Sequence, residues 1–433
     1  MRLPLYGWLA AETVSLVGTR VSMLAIPWFV LETTGSPTKT GLIALFELAP
    51  LVLSKIFGGP LIDRIGPRRV AITCDLASAL VVGLIPVLYA AGLLQFPILL
   101  ALVALAGALR GPSDSAKVAM IPQLVEAAGV PTERATGLHS FVERTASMLG
   151  AAAAGLLIGL VGATNAIVID AASFAVGALL LATTTAGLSR LRQPEQPGRA
   201  GQTEQATETG QTGQTGSASY RTQLAEGWHF LRRDRVLLGI AFMVALTNLI
   251  DLAWSSVLMP VWAQQHTGPE TLGLLFATFT GFAAAGSAVA AAIGDRMRRY
   301  PTYLICFLVT GIPRFLAIAF GAPLWVVFVV FAIGGCASGF LNPILGAIQF
   351  ERIPAHVLGR VMSLISAFAW GLMPLGGLLG GGLVSAFGLT TALVACGIAY
   401  FAVTMFPAID PTWKQIERRP EEAPNRLPAA SGS

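Results

Sequence analysis

Long apolar stretches separated by short polar or glycine-rich turns recur along almost the whole chain, from Tyr6 to Pro407. Stretches of some twenty residues match the length a helix needs to cross a bilayer core. The pattern predicts twelve such helices, over residues 6–31, 43–62, 70–91, 97–121, 137–161, 165–188, 236–263, 272–293, 303–320, 324–350, 358–387 and 389–406. The turn cluster Thr33-Thr34-Gly35-Ser36-Pro37 closes the first of them. An amphipathic piece with Pro131 and Arg134 leads into the fifth, and residues 224–235 read as a short amphipathic helix on the membrane surface. Two segments break the pattern. Residues 190–221 are rich in Gln, Thr, Gly and Glu, too polar to pack, and the charged residues 410–433 read as a tail; both are expected to be disordered. The predicted organisation is therefore a six-helix bundle over 1–189, a linker over 190–235, a second six-helix bundle over 236–409 and a tail over 410–433.

The composition sharpens this into an all-α membrane protein. The chain is 54% hydrophobic and 12% charged, against about 25% charged in soluble domains. Met1-Arg2 runs straight into a long apolar segment with no small-residue cleavage site, so no cleavable signal is expected. The net charge of +5 is no nucleic-acid footprint, because its bases sit in alternate loops. Arg64, Arg68, Arg69, Arg134, the 190–235 segment, Arg296, Arg298, Arg299, Arg352 and Arg360 fall on one side with both termini, whereas Lys39 is the clear base of the opposite loops. Excess Lys and Arg face the cytoplasm, which places both termini there and requires an even number of spans in a multi-pass inner-membrane protein. Cys74, Cys306, Cys336 and Cys396 stand singly in apolar segments and read as packing residues. Without a Walker loop, His-metal spacing or extramembrane domain, the sequence points away from an enzyme and from ATP hydrolysis. No metal or organic cofactor is implied. The expected partners are the bilayer and a small-molecule substrate, and the chain is expected to be a monomer.

The chain also repeats itself. Ala291-Ala292-Ile293-Gly294-Asp295-Arg296-Met297-Arg298-Arg299 is a degraded copy of residues 59–69, with Asp295-Arg296 standing for Asp63-Arg64, and Ala25-Ile26-Pro27-Trp28 answers Leu258-Met259-Pro260-Val261-Trp262. Arg134, Leu149-Gly150 and Gly155 answer Arg360, Leu375-Gly376 and Gly381 at one constant offset. Three matches in the same order make two homologous halves, the parallel-repeat architecture of transporters.

Charges inside the spans cost about 2.5–3.5 kcal/mol each at mid-membrane and call for a function or a partner. They are Glu12, Arg20, Glu47, Lys55, Asp75, Arg110, Asp114, Lys117, Glu143, Arg144, Asp170, Asp251 and Arg314. Arg110, Asp114 and Lys117 share one helical face and can pair along it, or tie their helix to a neighbour. Asp251, Glu47, Asp170 and Glu12 are candidates for carrying a proton, since an in-span carboxylate can exchange one with its surroundings; hydrogen bonding or pairing with Arg20 or Arg314 is the structural alternative. Asp75 is expected beside Asp63, and Glu143-Arg144 as a gate or structural pair. Arg20, Trp28, Glu47, Arg110, Asp251, Trp254, Arg314 and Trp370 are candidates for lining a substrate cavity, although aromatic residues at helical spacing pack or face lipid more often. Trp262 and Trp325 suit the interfacial belt. The glycines at 150, 155 and 159 and at 376, 377 and 380–382 allow close helix packing.

The stretch Gly59-Pro60-Leu61-Ile62-Asp63-Arg64-Ile65-Gly66-Pro67-Arg68-Arg69 resembles the signature loop between helices two and three of the major facilitator superfamily, with Pro67 where that family usually has a base. The resemblance implies twelve helices in two halves. It also implies that Asp63 caps the start of the eleventh helix, near Leu358 to Arg360, when the inner side is closed, with Arg64 and Arg69 completing the latch. A helix N-terminus attracts a carboxylate on physical grounds as well. Gly59, Gly66, Arg68 and the second-half copies Asp295 and Arg296 belong to the same gate. In this family the seventh helix, with Asp251, lines the central cavity. Leu16-Val17-Gly18, Ile121-Pro122-Gln123-Leu124-Val125, Ile169-Asp170-Ala171-Ala172-Ser173-Phe174 and Gly359-Arg360-Val361-Met362-Ser363 resemble the macrolide-efflux and enterobactin-exporter branch, with Thr19-Arg20 where that branch often has an acidic residue. Antiporters of the superfamily carry G-x-x-x-G-P-x-x-G-G in helix five; here Ala151 follows Gly150 where the proline would fall. The resemblance implies an exporter of a bulky amphipathic compound, such as a macrolide-like drug, natural product or siderophore, working by proton antiport and alternating access. An importer of a small anionic metabolite and a non-transporting sensor or lipid-handling protein are the alternatives.

Overall fold

The computed structural model describes residues 3–187, 220–293, 297–354 and 357–417, and every regular element among them is helical. The first half comprises α1 (Leu3–Thr34), α2 (Pro37–Phe57), α3 (Gly59–Ile65), α4 (Pro67–Ala90), α5 (Phe96–Ala119), α6 (Ile121–Ala128), α7 (Thr132–Val161) and α8 (Ala163–Thr184). After α9 (Tyr220–Arg233), the second half runs through α10 (Arg235–Ala253), a π-helical turn (Trp254–Leu258), α11 (Met259–His266), α12 (Pro269–Ile293), α13 (Arg299–Thr310), α14 (Ile312–Ala319), α15 (Leu324–Arg352), α16 (Leu358–Gly371), α17 (Leu375–Phe387) and α18 (Leu389–Ile409). Twelve helical stretches, several of them built from two or three of these elements, are long and apolar enough to cross a membrane. The linker over 190–219, Asp295, Arg296, the tail from 418 and the side chain of Arg144 lie outside the described residues.

Two expected boundaries move. The second span stops at Phe57 instead of residue 62, because the backbone breaks at Gly58 and restarts as α3, with Pro60 in its first turn where a missing N–H costs nothing. The tail is ordered as far as Glu417. Pro411–Glu417 forms a 3-10 strap whose Trp413, 2% exposed, lies 5.8 Å from the Tyr303 ring and fills the space left by Gly239. Asp410 starts the strap: the hydroxyl and the amide of Thr412 both donate to its carboxylate, which holds it below the usual carboxylate range. Aromatic burial, which a charged composition conceals, is what holds this segment in place.

One end of the bundle carries Arg64, Arg68, Arg69, Arg134, Arg299, Arg352 and Arg360 and is called the basic end; the other carries the turns at Gly35, Gly92, Gly162, Gly268, Gly321 and Gly388. The halves pack together mainly through α2 on α17 and α7 on α12, whereas α3, α6, α9 and α13 at the basic end pack within their own halves. Glycine permits the first contact. A Cβ on Gly41 would stand 2.1 Å from the carbonyl oxygen of Gly377, so only bare backbones approach this closely. Gly155 and Gly273 do the same for α7 and α12. Thr38 and Ser385 share a hydroxyl hydrogen bond of 2.7 Å, and Gln264 donates to the Leu31 carbonyl at 3.4 Å, both on the glycine-turn side. Toward the basic end α7 and α12 splay, leaving a gap of about 340 Å³ bordered by Glu143, Ser147 and Thr280. The halves are thus closed at one end and parted at the other.

Candidate functional site

A chamber of about 440 Å³ lies between the halves. The first half supplies Arg20, Met23 and Leu24 from α1, Glu47 from α2 and Ser147 from α7; the second supplies Ser255, Ser256, Phe276, Thr280 and Met373. The two serines reach it because the helix widens there. Pro260 has no N–H to return to Ser256, and the backbone takes a π-turn in which the Met259 N–H bonds back to the Trp254 carbonyl. The lining is mixed: apolar and sulfur-bearing surface for a large apolar body, with hydroxyls and two charged side chains to orient it.

Ser255 and Phe276 also border a second cavity of about 400 Å³ inside the second half. There Arg314 is paired with Asp251, and its guanidinium carbon lies 5.0–5.2 Å from the ring centres of Trp254, Phe315 and Tyr400. Stacked aromatics and one carboxylate are a suitable environment for a buried guanidinium. The Asp251 side chain is 39% exposed toward this cavity, and Asn248 beside it donates to the Ala369 carbonyl at 2.9 Å.

The first half contains two further charge clusters. Arg110 pairs with Glu47 at 3.0 Å and lies 5.9 Å from the Phe174 ring centre. Behind it, Asp170 accepts from Ser22 and from Ser173. Nearer the basic end, Lys117 bonds Asp75 at 2.9 Å and Ser15 at 3.0 Å, and Ser113 donates to Asp75 at 2.5 Å. Glu12 is buried beside this group, and its Oε2 has no hydrogen-bond partner. Lys55 pairs with Asp114 at 3.2 Å. Every ion pair found among the described residues joins elements of one half.

Several expectations change here. Of the two readings for Arg110, Asp114 and Lys117, the structure shows the tie to neighbouring helices and no pairing along their shared face; each reaches a carboxylate or base on α2 or α4, since packed neighbours come closer than the next turn of the same helix. Asp75 joins Lys117 and Ser113 instead of Asp63. Trp28 packs in the core at the closed end of α1, beside the Leu31 carbonyl that accepts from Gln264, and lines neither cavity. Trp370 is half exposed and also borders neither; Met373, three residues on, reaches the chamber. Trp262 is buried against His266, whereas Trp325 is exposed at the start of α15 as a belt residue would be.

In the signature loop, Gly66 has φ +93°, a conformation that favours glycine, and Pro67 opens α4 at a position that suits proline. Arg68 donates to the Thr185 hydroxyl at 2.8 Å and to the Ala182 carbonyl at 2.7 Å, capping the end of α8. Asp63, Arg64 and Arg69 are exposed, with no side-chain partner among the described residues, and nothing described lies within 4 Å of a Cβ placed on Gly59. Arg360, at the head of α16, is paired with Glu226 of α9 instead. The latch expected of Asp63 is unmade, as it must be when the basic end stands open. The sequence reading missed Glu226, the paired serines of the π-turn and Trp413. The proline two positions after Leu258 was the one available signal for the turn.

A family model of the Major Facilitator Superfamily matches residues 9–266 and, again, residues 241–431. The multidrug efflux pump Tap of Mycobacterium tuberculosis is 27% identical over 421 residues, covering 96% of each chain. Among solved structures, the nucleoside transporter NupG superposes with a TM-score of 0.72 at 13% identity, over 94% of this chain and 98% of that one. A bacterial homologue of the human lysosomal transporter Spinster, in an inward-facing and unoccupied conformation, gives 0.69 at 14% identity over 96% of each chain.

Proposed function

The chain belongs to the Major Facilitator Superfamily and is a multi-pass membrane transporter, and from that premise we propose that it exports bulky amphipathic compounds by proton antiport. The observation that carries the reading is the chamber between the halves, whose apolar and sulfur-bearing surface is interrupted by Arg20, Glu47 and hydroxyls. An amphiphile needs both kinds of wall. Similarity to a multidrug efflux pump along the whole chain supports the direction of transport, and the one-sided excess of Lys and Arg supports a bacterial inner membrane with both termini in the cytoplasm. On that orientation the parted end faces the cytoplasm, so substrate enters from inside and leaves when the halves rock to open the glycine end.

Asp251 is the coupling carboxylate in this proposal. Glu12 and Asp170 are buried within the first half and Glu47, although it borders the chamber, is held by Arg110, whereas Asp251 opens onto a cavity that adjoins the chamber and keeps Arg314 as its counter-charge. A proton arriving there releases the guanidinium, next to the Ser255 and Phe276 wall that this cavity shares with the substrate chamber. The test uses proteoliposomes with an acidic lumen and external erythromycin or fusidic acid, with uptake read by mass spectrometry. Exchange for outgoing protons accumulates at least one of the two compounds, and a protonophore or Asp251→Asn removes the accumulation. Uptake indifferent to the gradient would sink the antiport reading.

A further inference from the structure

Resting on the exporter reading, we infer that the chamber selects amphipathic acids, with Arg20 as the residue that receives the anionic group. Four other bases within the spans each have a carboxylate: Lys55 has Asp114, Arg110 has Glu47, Lys117 has Asp75 and Arg314 has Asp251. Arg20 has no such ion pair among the described residues. Its Nε is buried without an acceptor, and its single hydrogen-bond contact is a weak one from Nη1 to the Met23 sulfur at 3.7 Å. Gly150 packs against its Cβ and holds the stem between α1 and α7, so the head projects along the chamber wall.

Arg20 is half-buried on the chamber wall, and its Nε is shut from solvent without an acceptor; a guanidinium in that setting favours an anionic partner. Glu47 shares the wall, but its charge is already engaged by Arg110. The charges of Glu143, which borders the adjoining gap, and of Asp114 are felt at Arg20, but neither carboxylate forms an ion pair with it among the described residues. The missing anion is therefore supplied by the cargo. A guanidinium offers a planar fork of donors that fits a carboxylate or phosphate, while Met23, Leu24, Phe276 and Met373 accept the apolar body. The cargo chemistry is an acid head on a bulky apolar frame, whether a soluble amphiphile or an anionic phospholipid.

The test measures binding of fusidic acid and of its methyl ester, which differ by the charge and one methyl group, to the full chain in neutral detergent by isothermal titration calorimetry. Wild type binds the acid at least tenfold more tightly than the ester. Arg20→Gln brings the acid down to the ester's affinity and leaves the ester within twofold, which also shows that the variant is folded; Arg20→Lys retains part of the preference. Displacement of the acid by dioleoylphosphatidylglycerol assigns the site to a lipid acid, and no displacement assigns it to a soluble one. Equal affinities in wild type, no saturable binding of the acid, or a parallel loss of both ligands in Arg20→Gln overturns the inference. The liposome exchange assay separates the two readings: gradient-driven erythromycin uptake that survives alongside equal acid and ester binding leaves the exporter standing and removes the acid selectivity.

Discussion

A single methyl group placed at Gly41 tests how the closed end is made. The added Cβ would stand 2.1 Å from the Gly377 carbonyl oxygen, where ordinary contact begins near 3.4 Å. The neighbour is backbone and has no rotamer to change, so α2 and α17 must part by roughly 1 Å or more. Overpacking of this kind costs about 1–3 kcal/mol, and only the conformer with the glycine end closed bears it. The ratio of open to closed at that end rises by about 5- to 150-fold. Spin labels at Lys39 and Ala386, both exposed beside this contact, report the change by double electron–electron resonance in a chain stripped of its four unbridged cysteines. Gly41→Ala is expected to build a longer-distance population. Gly382→Ala, where a Cβ meets nothing within 4 Å, is expected to leave the distribution unchanged. If Gly41→Ala keeps the wild-type distances, or if both substitutions act alike, then the bare backbone contact is not what holds that end shut.

Three other outcomes are expected. Arg110→Gln leaves Glu47 buried without its partner and lowers stability by about 3–5 kcal/mol, seen as an earlier melt in detergent, while Arg110→Gln with Glu47→Gln recovers most of the loss; an unchanged melt for the single variant refutes the pairing. Glu226→Gln frees Arg360 from α9 and favours closure of the basic end, read as a larger short-distance fraction between labels at Ile65 and Ser363; no change shows that α9 does not restrain α16. Trp413→Ala empties a buried site against Tyr303 and Gly239 and costs about 3–5 kcal/mol, and truncation after Asp410 lowers the melting temperature to a similar degree; a truncated chain that melts like the full one removes the strap from the fold.

The twelve spans were legible because crossing a bilayer demands length and apolarity, and both are written locally. The halves were legible because their motifs repeat in order. Pairing was not. Arg110 could be seen to share a face with Asp114 and Lys117, but whether it meets them or Glu47 depends on how α2 and α5 are rotated against each other, which no single segment encodes. The isolation of Arg20 is invisible for the same reason, since it is a statement about every neighbouring helix. The breaks at Gly58 and Gly311 lie inside runs that read as single spans, each marked by a nearby glycine and proline that a hydropathy pattern averages over. Trp413 was hidden by charged company: a tail reads as polar on average, while one ring decides whether it docks.

The confinement of ion pairs to their own halves bears on how fast such a machine can turn over. On the proposed rocking of the bundles, no salt bridge found among the described residues has to be torn apart in a low-dielectric interior, where separating two charges is most costly. What resists the motion is shape and a few hydrogen bonds at the glycine end, short-range forces that vanish within an ångström or two. Among the described residues each bundle keeps its salt bridges to itself, and Arg20, without one, borders the space between them.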